Sequence, residues 1–73
     1  MRLIEMCWRV KSRQSDRVLT CGIYRSAEGI ETRATYCNDE LLRAQPVTRM
    51  RAARELAKGW RAAVLQAGSF TEV

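Results

Sequence analysis

The chain has 73 residues, enough for one small domain, and a formal net charge of +5 from 13 basic and 8 acidic side chains. Its composition, 47% hydrophobic and 29% charged, is typical of a globular chain rather than a disordered one. No apolar run approaches the ~20 residues that cross a bilayer, and the early acid Glu5 does not suit a signal peptide, so we expect a cytoplasmic protein.

The first part of the chain predicts three β-strands. Residues 3–12 alternate apolar and polar side chains, which is the period of a half-buried strand. Residues 17–25 are rich in β-branched and aromatic side chains, and residues 30–37 alternate again. The turns between them are too short for crossover connections, so the pattern predicts an antiparallel meander in the order 1-2-3.

The four-residue turns also predict the register of these strands. We expect Trp8 opposite Cys21 and Cys21 opposite Ala34. The neighbouring row contains Val10, Leu19 and Tyr36. Because this face is apolar, we expect a helix to cover it. The uncovered face is expected to carry Glu5, Cys7, Arg9, Thr20, Gly22, Tyr24, Glu31, Arg33 and Thr35.

The second part of the chain predicts helical structure. Asn38 is expected to cap a short helical turn over residues 39–44, because its side chain can accept a free backbone N–H. Pro46 suits the first turn of a long helix over residues 47–67, which Gly68 ends. After it we expect a frayed tail, in which Phe70 can fold back onto the edge of the core.

These elements predict a single α+β domain over residues 1–73, with a three-stranded antiparallel meander and one long C-terminal helix packed on one face. The helix supplies apolar side chains at steps of three and four, which lie on one side of it. The expected core consists of Ile4, Met6, Trp8, Val10, Leu19, Cys21, Ile23, Ala34, Tyr36, Met50, Ala53, Leu56, Ala57, Trp60 and Val64.

Four basic side chains form a second line on the helix, and we call Arg51, Arg54, Lys58 and Arg61 the basic stripe. A row of cations can follow a phosphate backbone, which predicts nucleic-acid binding as one function. The alternative is a solvated helix flank whose aliphatic stems cover apolar surface. The chain contains no nucleic-acid-binding motif that would decide between the two.

The uncovered sheet face and the open edge of the first strand favour a protein partner. The residues expected to form this interaction face are Cys7, Arg9, Thr20, Gly22, Tyr24 and Arg33. The face is only moderately polar, and Gly22 is expected to leave a dent at its centre. An outer edge strand tends to pair with another chain unless it is blocked. We therefore expect a protein partner or a homodimer, with an ordinary solvated sheet face on a monomer as the alternative.

Catalysis, cofactors and bound metals are not expected. The chain has no histidine, no glycine-rich phosphate loop and no C-x-x-C pair. Cys7, Cys21 and Cys37 are an odd number without the spacing of a secreted disulfide domain, so we expect reduced thiols. A domain of this size also has little room for a catalytic pocket, and we do not expect an enzyme.

Three segments, W-R-V at 8–10, L-T-C-G-I-Y at 19–24 and A-R-E-L-A-K-G-W at 53–60, resemble a family of short bacterial proteins with no assigned role. The resemblance covers most of the chain and implies no site residues. The sequence therefore predicts a small non-catalytic protein-interaction module or homodimer. Nucleic-acid binding through the basic stripe is the alternative function.

Overall fold

The computed structural model describes residues 1–73 as five β-strands and one α-helix. The elements are β1 (Arg2–Ser12), β2 (Val18–Ser26), β3 (Gly29–Tyr36), β4 (Leu41–Val47), α1 (Met50–Gln66) and β5 (Phe70–Glu72). All strand pairs are antiparallel, and the strands form one sheet in the order β4-β3-β2-β1-β5. The α+β class and the single helix on one sheet face are as predicted, but the sheet has five strands instead of three.

The predicted short helix over residues 39–44 is wrong, because most of that segment belongs to β4. The side chain of Asn38 does accept a backbone N–H, that of Glu40, but within a turn rather than at a helix end. Asp39 has a positive φ of 65° in this turn, which reverses the chain after β3. Pro46 lies in β4 rather than in a helix, and an edge strand tolerates it because its outer side needs no ladder hydrogen bonds.

The predicted C-terminal tail contains the fifth strand. β5 pairs with Val10, Lys11 and Ser12 of β1, and Phe70 packs against the core as expected. Gly68 takes a φ of 81° after α1, a left-handed conformation that glycine adopts without strain. The outer side of β1 has no strand beside it from Arg2 to Trp8, and we call these residues the open half of β1.

The register of β1, β2 and β3 confirms two of the predicted rows. Trp8 lies opposite Cys21, and Cys21 lies opposite Ala34. The second confirmed row contains Val10, Leu19 and Tyr36. This agreement extends through β2 and β3 because no bulge interrupts that pair, from Leu19 opposite Tyr36 to Ser26 opposite Gly29.

Two bulges in β1 change the faces of the residues between Leu3 and Trp8. The pairing with β2 shifts between Leu3 and Glu5, and again between Met6 and Trp8. An extra residue in one strand moves the following side chains to the opposite face. As a result Glu5 lies opposite Ile23 on the helix side, and Met6 lies opposite Gly22 on the uncovered side. The predictions that Glu5 faces away from the helix and that Met6 faces it are therefore wrong.

The core lies between α1 and the covered face of the sheet. Its buried side chains are Trp8, Val10, Leu19, Cys21, Ile23, Thr32, Ala34, Ala53, Ala57 and Trp60. All except Thr32 belong to the predicted core, and the Thr32 hydroxyl donates to the carbonyl oxygen of Ala53 at 3.1 Å. Ile4 and Met6 were predicted in the core and are exposed. The remaining predicted members, Tyr36, Met50, Leu56 and Val64, are only partly buried.

Helix α1 begins at Met50, three residues later than predicted, because β4 runs on to Val47. Its small side chains Ala53 and Ala57 are buried, so the helix axis lies close to the sheet. The helix is neither long enough nor apolar enough to span a bilayer.

Candidate protein-interaction site

Three apolar side chains of the open half of β1 are exposed, and we call Leu3, Ile4 and Met6 the β1 patch. They keep 45%, 40% and 48% of their surface accessible to solvent. The sequence alternation would bury Ile4 and Met6, and the two bulges prevent this. Full burial of such a side chain contributes roughly 1.5–3 kcal/mol, so their exposure is a substantial loss for a domain with a stability of about 5 kcal/mol.

A shallow groove of about 280 Å³ lies between the open half of β1 and the helix, and we call it the β1–α1 groove. It is lined by Glu5, Met6, Cys7, Trp8, Arg54, Ala57, Lys58 and Arg61. The strand side chains and Ala57 supply apolar surface, and three members of the basic stripe supply positive charge. The groove therefore offers apolar contact area and cations to the same ligand.

Two of the four stripe residues are ion-paired within the chain. The Arg54 guanidinium donates to both carboxylate oxygens of Glu5, from Nε to Oε2 at 3.0 Å and from Nη2 to Oε1 at 2.9 Å. Arg61 pairs with Glu72 of β5. Arg51 and Lys58 have no ion pair. Sequence reasoning expected four free cations on this flank, and the structure leaves two.

The pair between Glu5 and Arg54 also decides the charge state at the groove. Hydrogen bonds from Arg54 hold the pKa of the Glu5 carboxyl below its usual value, and Glu5 in turn raises the pKa of the Arg54 guanidinium. Both groups are therefore charged at neutral pH. Because the pair is solvent-exposed, it contributes little to stability and mainly sets the local field.

Cys7 does not belong to the predicted interaction face. It is the extra residue of the second bulge, it lines the β1–α1 groove, and it packs against the core beside Trp8. Burial raises the pKa of its thiol, and burial raises the pKa of the neighbouring Cys21 thiol to about 12. Both thiols stay protonated at neutral pH and are poor nucleophiles. The third cysteine, Cys37, is exposed, and all three are free thiols in the structure.

The other five residues of the predicted face do share the uncovered side of the sheet. Their places follow from the pairing of Arg9 with Thr20, of Gly22 with Arg33, and of Tyr24 with Leu3. The charged groups at the centre of this face are paired with each other, because the Arg33 guanidinium donates a hydrogen bond of 2.9 Å to the Glu31 carboxylate.

The expected dent at Gly22 is filled. A Cβ atom at this position would lie 2.9 Å from Cδ1 of Leu3 and 3.2 Å from Cε1 of Tyr24. These two side chains therefore occupy the space beside the glycine, and the surface offers no recess there. The more accessible apolar region is the β1 patch at the edge of the sheet.

A smaller cavity of about 70 Å³ lies between β4 and α1. It is lined by Trp8, Ala34, Leu42, Arg43, Trp60, Ala63 and Val64. The Arg43 guanidinium lies 4.6 Å from the ring centroid of Trp60, and the indole N–H of Trp60 has no hydrogen-bond partner. The volume suits one or two water molecules rather than a ligand.

Sequence reasoning missed Ile4 and Met6 as candidate site residues because strict alternation assigned both to the core. One signal was present in the sequence. Of residues 3–8, only Glu5 is charged or polar, so both faces of a regular strand would be apolar there. Such a run conflicts with simple alternation and is a hint that the strand is irregular or binds something on its second face.

The chain matches no protein-family model, no curated protein and no solved structure at a significant level. The resemblance to short bacterial proteins therefore stays a prediction. The function is inferred from the geometry of the chain alone.

Proposed function

We propose that this chain is a small non-catalytic protein-interaction module that binds its partner through the β1 patch and the adjoining β1–α1 groove. The observation that carries the proposal is the cluster of exposed apolar side chains Leu3, Ile4 and Met6 on one edge strand, where two bulges expose Ile4 and Met6. Bulges are frequent at sheet edges and next to functional sites, where they re-aim side chains. Clustered apolar side chains beside an unpaired strand edge are typical of protein-binding surfaces.

The size of the surface is compatible with this function. A standard interface covers about 800 Å² on each partner. That area is roughly one sixth of the 5068 Å² accessible surface of the chain. The β1 patch and the groove share Met6 and so form one continuous region at the centre of such an interface. A homodimer formed through this region is one version of the proposal.

Nucleic-acid binding through the basic stripe is the alternative proposal. Arg51 and Lys58 can contact phosphate without breaking an ion pair, whereas Arg54 and Arg61 each stand beside a carboxylate that repels phosphate. Two free cations predict a salt dependence of only about two units in the slope of log affinity against log salt. Binding of duplex DNA with a slope of about two or more would favour the alternative.

The proposal is tested by site-specific photo-crosslinking in an extract of cells that produce the protein. A photoreactive amino acid replaces Met6 in one variant and Leu42 in the other, because the two side chains are about equally exposed on opposite edges of the sheet. We expect a discrete crosslinked protein from position 6, lost when Leu3→Ser is added, and none from position 42. Equal products from both positions, or none from position 6, would contradict the proposal.

A further inference from the structure

Strand β5 provides an example of how an extended segment lies beside β1. It pairs antiparallel with residues 10–12 of β1. Phe70 of this strand packs against the core, and the carboxylate of Glu72 pairs with Arg61 of α1. One aromatic and one acidic side chain, two residues apart, therefore anchor a three-residue strand to the sheet and to the helix.

Beyond β5, no strand pairs with the same edge of β1 along its open half. The last backbone contact along this edge joins the N–H of Val73 to the carbonyl oxygen of Arg9 at 3.5 Å. The basic stripe follows the same line, from Arg61 beside β5 to Lys58 and then to Arg54, which is paired with Glu5 of β1. The groove and the cations thus extend beyond the end of β5.

The spacings of helix and strand along this line bring the next acidic position on the strand between the levels of Lys58 and Arg54. Lys58 precedes Arg61 by three residues, about 4.5 Å along the helix axis, and Arg54 precedes it by about 10 Å. Side chains on one face of a strand recur every 6.8 Å or so. An acidic side chain that follows the Glu72 position by one alternation would therefore come near Lys58. Lys58 is exposed and has no ion pair, so its ammonium group is free to pair with this carboxylate.

The charges favour an acidic segment of another protein over a second copy of this chain. Each copy carries a net charge of +5, and two copies joined at this edge would repel. At the start of β1, Arg2 lies directly opposite Arg25, and neither has an ion pair. A negatively charged segment meets complementary charge at both ends of the open half of β1.

We propose that the partner presents an acidic, apolar-containing segment that lies extended along the open half of β1. Its apolar side chains contact the β1 patch, and a carboxylate pairs with Lys58 as Glu72 pairs with Arg61. The bulges at Ile4 and Cys7 interrupt the regular spacing of hydrogen-bonding groups along this edge. Side-chain contacts, more than a continuous backbone ladder, therefore select the segment that binds. The inference rests on the proposed function and names the partner chemistry for the same site.

The test uses a short peptide that alternates Glu with Val, a second peptide with Gln in place of Glu, and the isotope-labelled full chain. We expect the acidic peptide to shift the backbone amide resonances of residues 2–8 and of Lys58, and to bind at least about fivefold more tightly than the neutral peptide at low salt. Resonance shifts confined to other residues, or equal affinity for the two peptides, would overturn the inference.

Charge-reversal variants identify the cation. Lys58→Glu is compared with Arg13→Glu, which makes the same charge change at an exposed residue without an ion pair, beyond the far end of β5. We expect Lys58→Glu to weaken binding of the acidic peptide about five- to tenfold, and Arg13→Glu to weaken it by less than about twofold. Equal losses of affinity in the two variants would mean that the net charge of the chain causes the weakening, and would overturn the role of Lys58.

The two proposals fail in different ways. If position 6 crosslinks to a protein in the extract but the peptides do not distinguish acid from amide, the interaction module stands and the acidic partner is rejected. If position 6 gives no crosslinked protein, the proposed function is rejected, whatever the peptides do. Binding of duplex DNA or anionic vesicles in place of the peptide, with the same loss in Lys58→Glu, would assign the groove to a different class of partner and overturn the inference.

Discussion

The indole N–H of Trp8 donates a hydrogen bond of 2.7 Å to the backbone carbonyl oxygen of Ala57, and this bond joins β1 to α1 inside the core. The second indole, that of Trp60, is also buried but its N–H has no hydrogen-bond partner. The two tryptophans therefore contribute differently. Trp8 combines apolar burial with a specific polar link between sheet and helix, whereas Trp60 contributes apolar burial and carries an unsatisfied donor.

Replacing each tryptophan with phenylalanine separates these contributions. Both substitutions remove similar apolar area, but Trp8→Phe also removes a buried hydrogen bond, and Trp60→Phe removes a donor that is already unpaired. We expect Trp8→Phe to lower the free energy of unfolding by about 1 kcal/mol more than Trp60→Phe. Urea denaturation followed by circular dichroism measures this difference. An equal or larger loss in Trp60→Phe would show that the hydrogen bond is not what distinguishes the two sites.

The buried thiol of Cys21 predicts a loss of stability at alkaline pH. Its pKa is about 12 in the folded chain, against a usual value near 9. Between these two pH values the unfolded chain releases the thiol proton and the folded chain keeps it, so rising pH favours unfolding. We expect the free energy of unfolding to fall above pH 9 by up to about 1.4 kcal/mol for each pH unit from this group.

Alanine variants isolate the thiol from other groups that titrate in the same range. Cys21→Ala is expected to lower stability at pH 7 because it leaves a small cavity, yet to flatten the dependence on pH above 9. Cys37→Ala, which removes an exposed thiol, is the matched control variant. Chemical denaturation of the three proteins across this pH range provides the slopes. The same slope in Cys21→Ala and in the parent chain would mean that another group causes the alkaline loss.

Gly22 couples the uncovered sheet face to the β1 patch. An alanine Cβ at this position would lie too close to Cδ1 of Leu3, so the Leu3 side chain has to move. We expect Gly22→Ala to destabilise the fold by roughly 1–2 kcal/mol. In the Leu3→Ala background the same change is expected to cost at least about 0.5 kcal/mol less, because the closest contact is gone. A double-mutant cycle by urea denaturation tests this, and strict additivity would contradict the packing of Leu3 over Gly22.

The parts of the fold that follow from regular local rules could be predicted from the sequence. The rows through Cys21 and Leu19 were correct because two short turns and an uninterrupted β2–β3 pair leave no other register that buries the apolar side chains. Ala53, Ala57 and Trp60 were placed correctly for the same reason, since a helix with one apolar stripe has one way to face a sheet.

The features of the fold that the sequence predicts wrongly depend on interactions between distant segments of the chain. The apolar run over residues 3–8 hints at an irregular strand but does not locate the bulge at Cys7, and this bulge alone decides that Met6 and Trp8 face opposite sides. Residues 41–47 form a strand because β3 offers an unpaired edge, and this tertiary pairing overrides a local pattern that suits a helix. The sequence also could not predict which members of the basic stripe are ion-paired, because their partners Glu5 and Glu72 lie on two separate strands.

Removing the charge of Glu5 is expected to strengthen binding at the β1–α1 groove. Glu5→Gln releases Arg54 from its ion pair, so the groove gains one free cation next to Lys58. We expect the acidic peptide to bind about three- to fivefold more tightly to this variant at low salt, with the gain screened at high salt. Glu28→Gln is the matched control, since it removes the same charge from an exposed acid without an ion pair, at the far turn between β2 and β3. Fluorescence anisotropy measures both affinities, and an equal gain in the two variants would attribute the effect to net charge rather than to the release of Arg54.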